Sequence, residues 1–248
     1  MPSLLRAEVD NNFVAFDGAW PGELNTARNA LVVANSHFKD SYARITSIQA
    51  WRTSVLFKAL LPDVEAFFFE AQNDLLVSHC LARCGSFRQA LKALRSTIEN
   101  TYAALYFMDH PVELRRWAAG SYRITFADLT AYFENHPDVS SPTAAGVALL
   151  RGEYATLSKA VHGSAKAFRM TTDLVAVRLW SADVPSVGKW ATREKAVIQG
   201  LNLLLAHLFC DKLTGTQNRN LRETMGFVLT AAQRTVLRTK LNVKVISP

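Results

Sequence analysis

The chain has 248 residues, 49% of them hydrophobic, and a net charge of +7 with a pI near 9.5. That length and apolar content allow a sizeable core and exclude disorder as the ground state. The opening MPSLLRAEVDNN reaches acids and amides before a signal-like run develops, and the apolar stretch Gly200 to Cys210 falls far short of the ~20 residues that cross a bilayer, so neither export nor membrane contact is expected.

The 11 glycines and 8 prolines are thinly spread, and the runs between them show helical rather than alternating periodicity. Asn25 or Thr26 can cap a first helix, whose pattern continues through Ile48, Trp51, Val55 and Ala59 to a stop at Pro62. Val64, Phe67, Phe68, Ala71, Leu75, Val77 and Leu81 then trace a strongly apolar face ending at Cys84-Gly85. Ser86 caps the cleanest helix, with Phe87, Leu91, Leu94, Ile98, Tyr102 and Leu105 at helical spacing up to Asp109-His110-Pro111. Short helices follow at 112–119 and 126–134, and Asn135 to Pro142 reads as an exposed connection.

Pro142-Thr143 opens a helix with Val147, Leu150, Tyr154, Leu157 and Val161 on one side, running to His162-Gly163-Ser164. β-formers around a Thr171-Thr172-Asp173 turn suit a short β-hairpin near 168–180. Pro185 to Gly188 reads as a connection, Trp190 to Leu213 as one long helix, and Leu221 to about Leu241 as the last. The expected architecture is an all-α antiparallel helical bundle, with a core over 1–215 and a basic segment over 216–248 that packs on it or extends from it.

Two polar stripes interrupt this apolar pattern. Arg88, Lys92, Arg95 and Glu99 share one helix face, as do Arg151, Ala155, Ser158 and His162, each at spacings of four, three and four. Facing each other, they would make a polar cleft. His162 is then the candidate general acid or base, with Arg95 or Arg88 on a phosphate and Ser158 and Glu99 orienting them. The alternatives are a solvated face with an Arg95–Glu99 pair, and a histidine that caps its own helix.

The helix Phe87 to Phe107 with Arg95-x-x-x-Glu99, together with Glu153-Tyr154-x-x-Leu157-Ser158-x-x-x-His162-Gly163-Ser164, resembles the core helices of HEPN-like proteins. That family of α-helical bundles includes ribonuclease toxins and antiviral-defence effectors as well as members without catalysis. The resemblance spans roughly Ser86 to Ser164 and implies a nucleic-acid-directed component of a bacterial defence or toxin system, acting as a metal-independent ribonuclease where catalytic. One departure is plain: active members carry an arginine separated from the histidine by four to six residues, and Ala155, Thr156 and Leu157 stand at those positions. Arg151 is about 16 Å up the helix, so either Arg88, Arg95 or Arg169 supplies the cation or the site is a binding surface only. The rival reading is a non-catalytic scaffold or adaptor that binds a protein partner of the same system.

The three cysteines are odd in number and lack framework spacing, which fits a reducing, cytoplasmic compartment. His79, Cys80, Cys84, His207 and Cys210 could in principle approach a zinc set. Their apolar flanks and the want of a Cys-x-x-Cys knuckle favour burial instead, and no metal or other cofactor is expected. From Lys212 onward seven basic residues (Lys212, Arg219, Arg222, Arg234, Arg238, Lys240, Lys244) stand against Glu223 alone, carrying +6 of the +7. Such a segment suits phosphate neutralisation, with RNA the favoured partner, or an acidic protein surface. Leu201 to Phe209 would serve either as core or as the face of a homodimer.

Overall fold

The computed structural model describes residues 4–162, 179–214 and 218–247. All regular structure among them is helical, and no helix is long and apolar enough to cross a membrane. Residues 163–178, which hold Arg169 and most of the segment expected to form a β-hairpin, lie outside the described residues.

The chain opens with α1 (Leu4–Ala30), a 3₁₀ turn at Leu31–Ala34, α2 (Asn35–Trp51), a π-turn at Arg52–Leu56 and the short α3 (Phe57–Ala59). The expected cap at Asn25 or Thr26 is not a helix start. Thr26 instead donates its hydroxyl to the Gly22 carbonyl at 2.9 Å inside α1, and Pro21 is carried within the same helix. Pro62 does restart the chain, standing in the first turn of α4 (Pro62–Arg83) with Asp63 and Glu65 beside it.

Gly85, at φ +78°, turns α4 into α5 (Phe87–Asp109), which lies against α4 along its length. Next come α6 (Pro111–Ala118), then α7 (Phe126–Glu134), opened by a capping box between Thr125 and Asp128, then α8 (Val147–His162). Pro185 to Gly188 is no connection. The proline occupies the first turn of α9 (Val184–Leu208), where its missing N–H is harmless, and this helix gives way to a 3₁₀ turn at Cys210–Leu213.

The basic C-terminal helix is two helices, α10 (Arg219–Gly226) and α11 (Ala231–Leu241). Thr230 breaks the run because its extended backbone and capping box with Gln233 begin a new helix. Leu221, Met225, Val228, Leu229, Leu237 and Val243 join the main hydrophobic cluster, so this segment is packed on the core.

That core lies between α2, α4, α5, α8 and α9, with Trp51, Trp190, Phe68, Tyr102, Phe107 and Phe133 its largest fully buried side chains. Leu201 to Leu205 are buried in it, so this run is core and not a free face for pairing. Several polar groups inside find one another. Trp51 donates to Asn202 at 3.0 Å, Asn202 to Ser47 at 2.8 Å, Trp190 to Ser78 at 3.0 Å, and Arg44 pairs with Glu194 at 2.6 Å. Burial pushes the Glu194 carboxyl up to about 7 against the pull of Arg44.

Candidate functional site

The α5 stripe does face α8. Arg88 donates from Nε to the Ala160 carbonyl and from Nη2 to the Val161 carbonyl, both at 3.0 Å, which satisfies two acceptors in the last turn of α8. Seven residues further on, Arg95 reaches Tyr154, nearly two turns earlier in α8, so the two helices run antiparallel.

At that second level the side chains close on one another. Arg95 Nη2 donates to the Tyr154 hydroxyl at 2.6 Å and lies 2.9 Å from Glu99, while the Tyr154 hydroxyl donates to Glu99 at 2.8 Å. The Arg95 guanidinium also sits 4.8 Å from the centre of the Tyr154 ring, which in turn stacks on Phe126 at 3.5 Å. Burial is the main cause holding the phenol proton on Tyr154, and the carboxylate of Glu99 reinforces it. Tyr154, read from the sequence as part of the apolar face, is thus the residue that fills the expected cleft.

The remaining members of the α8 stripe turn elsewhere. Ser158 donates to the Tyr154 carbonyl at 2.8 Å, a local back-bond, and Arg151 pairs with Glu134 of α7 at 2.6 Å. His162 is exposed at the end of α8, one residue beyond the carbonyl that Arg88 holds. Arg95 and Glu99 meet α8 eight residues before His162, about 12 Å along the helix. The five expected catalytic residues therefore separate: Arg95 and Glu99 close on Tyr154, Ser158 is bonded behind it, and Arg88 holds the end of α8 where His162 is exposed.

On the basic segment, Arg238, Lys240 and Lys244 are exposed, Arg219 is paired with Glu223 at 2.8 Å, and Arg234 reaches the Gly226 carbonyl at 3.4 Å. Arg222 is buried on α10, which packs against α2 and also buries Leu221 and Met225, so it is not available to a phosphate. A shallow cavity of about 570 Å³ beside it is lined by Asn220, Glu223, Thr224, Phe227, Ile246 and Ser247, a mixed surface rather than a cationic cradle.

His79 is 3.0 Å from the Ser41 hydroxyl, and His207 bonds the Leu203 carbonyl at 2.8 Å. Among the described residues no group of three or more His, Cys, Asp or Glu side chains is arranged to hold a metal ion. No protein-family model matches this chain, and no curated protein or solved structure matches it.

Proposed function

We propose that this chain is an RNA-directed helical protein of HEPN-like kind, a component of a bacterial defence or toxin system. Its contact with a scissile phosphate is at the Arg88–His162 corner. The observation that supports the reading is that Arg88 spends two of its five donors on the Ala160 and Val161 carbonyls, the residues just before the exposed His162 at the end of α8. An arginine there neutralises the phosphate, and the imidazole takes the proton of the ribose 2′-hydroxyl as that oxygen attacks phosphorus. The proton then passes to the departing 5′-oxygen, which leaves a cyclic phosphate. Arg238, Lys240 and Lys244 hold the strand without reading its sequence.

Arg95, Glu99 and Ser158 act in this reading as positioning residues that fix α8 against α5. The test is cleavage of labelled single-stranded RNA by the full chain. His162→Ala should abolish it with thermal stability unchanged, and Arg88→Ala should weaken both cleavage and binding. Unchanged cleavage by both variants would remove the corner from the mechanism.

The closed Arg95–Tyr154–Glu99 cluster favours a second reading, a non-catalytic scaffold that binds a protein partner. In that case no RNA product forms, and the same substitutions at His162 and Arg88 have no effect beyond local stability.

A further inference from the structure

α1 is 27 residues long, about 40 Å, and Ala27 is its one buried residue. Leu5, Val9, Phe13, Phe16 and Trp20 follow one another at spacings of four, four, three and four, and with Leu24 and Ala27 they fall within about 100° of arc at 100° per residue. The same stripe continues through Leu31, Ala34 and Phe38, which are buried in the core at 4% exposure or less. The core-facing stripe of the α1–α2 rod therefore runs on for five turns beyond the body. There its side chains are 37% to 69% exposed.

The chemistry of the flanks narrows what covers this face. α1 carries Glu8, Asp10, Asp17 and Glu23 against Arg6 and Arg28, a net of −2. Helices that lie in a membrane surface carry lysine and arginine on the polar face, and phosphate backbones repel carboxylates. Lipid and nucleic acid are thus disfavoured, which leaves a protein. Elsewhere on the described residues the exposed large apolar groups are scattered. The outer side of α4, with Phe69, Leu76 and Val77, is interrupted by Glu70 and Asn73. The stripe that matches α1 in length and width is α1 itself.

We infer that α1 is a pairing arm, and that its apolar face is covered by α1 of a second copy of this chain. Two such arms, each burying the exposed parts of three aromatic and two aliphatic side chains, would remove roughly 1,100 Å² from water in total, near the lower end of specific protein interfaces. The contact is self-complementary, so it closes at two copies instead of growing. This inference stands apart from the RNA reading, and it supplies the scaffold reading with a partner.

Sedimentation equilibrium of the full chain between 1 and 100 µM tests it. The expected mass is twice the 27.5 kDa of one chain. Phe13→Glu with Phe16→Glu should return the mass to one chain, weakening association at least 100-fold with far-ultraviolet circular dichroism retained. Val14, also exposed but on the opposite side of α1, provides the control, and Val14→Glu should leave the dimer intact. A wild-type monomer at 100 µM, a dimer that survives the Phe13 and Phe16 changes, or equal loss in Val14→Glu would each overturn the pairing. So would a monomer that sediments with phosphatidylcholine–phosphatidylserine vesicles.

Discussion

Tyr154 shows how one phenol can decide the character of a surface. The spacing of Arg88, Arg95 and Glu99 was legible from the sequence, as was their direction toward α8. The tyrosine was not, because helical periodicity counts it with Leu150 and Leu157 as an apolar position and says nothing of where its hydroxyl ends. Tyr154→Phe removes both hydrogen bonds that tie Tyr154 of α8 to Arg95 and Glu99 of α5. It should lower stability by about 1–2 kcal/mol in urea denaturation, whereas His162→Ala, at an exposed site, should change it by less than about 0.5 kcal/mol.

The buried residues give a pH dependence of known sign. Burial lowers the pKa of His79 and His207, so both contribute stability that is present above the usual histidine value and is lost as pH falls from there through the lowered folded pKa. Glu194 works in the opposite sense. Its folded pKa is raised to about 7 from 4.5, so the native state holds the extra proton, and stability declines as pH rises between those values. Glu194→Gln removes that opposing slope. The variant should therefore gain stability more steeply than the parent between pH 5 and 7 when melting temperature is followed against pH. A slope equal to the parent's would mean that Glu194 does not titrate in this range.

Among the elements, the cleanest periodicities were the most reliable guides. The α4–α5 turn at Cys84-Gly85-Ser86, the limits of α7 and the close of α5 before Pro111 all follow from local signals that tertiary structure does not override. The ends of the chain were harder to read. Pro21, Gly18 and Gly22 suggest a break, yet α1 runs through them, and the stripe from Leu5 to Trp20 could have been found by extending the pattern of α2 backward. At the other terminus a continuous apolar side over 221–241 hid the interruption at Thr230. Thr230→Ala should cost about 1 kcal/mol through loss of its cap, measurable in chemical denaturation. Gly146 is more demanding, because it holds φ +77° and an added Cβ would lie 2.7 Å from the Gly200 carbonyl oxygen of α9. Gly146→Ala should cost roughly 2–3 kcal/mol, since strain and overpacking act together where α8 meets α9.

At the scale of the whole molecule, charge and apolar exposure are segregated. The arm is acidic and apolar, with net −2, while the rest of the chain carries the balance of the +7, or +9. The all-α class was legible from composition and periodicity. Which basic residues stay free was not, because burial of Arg222 depends on how α10 meets α2. RNA binding through Arg238, Lys240 and Lys244 should weaken steadily between 50 and 200 mM salt, and replacing all three by alanine should flatten that dependence by about three contacts' worth of slope. The central claim is that the Arg88–His162 corner acts on RNA. It is tested most directly by incubating the full chain with labelled single-stranded RNA beside its His162→Ala variant and resolving the products. Cleavage by the parent that the variant lacks, at equal melting temperature, is the predicted result. Equal cleavage by both, or none by either, would contradict it.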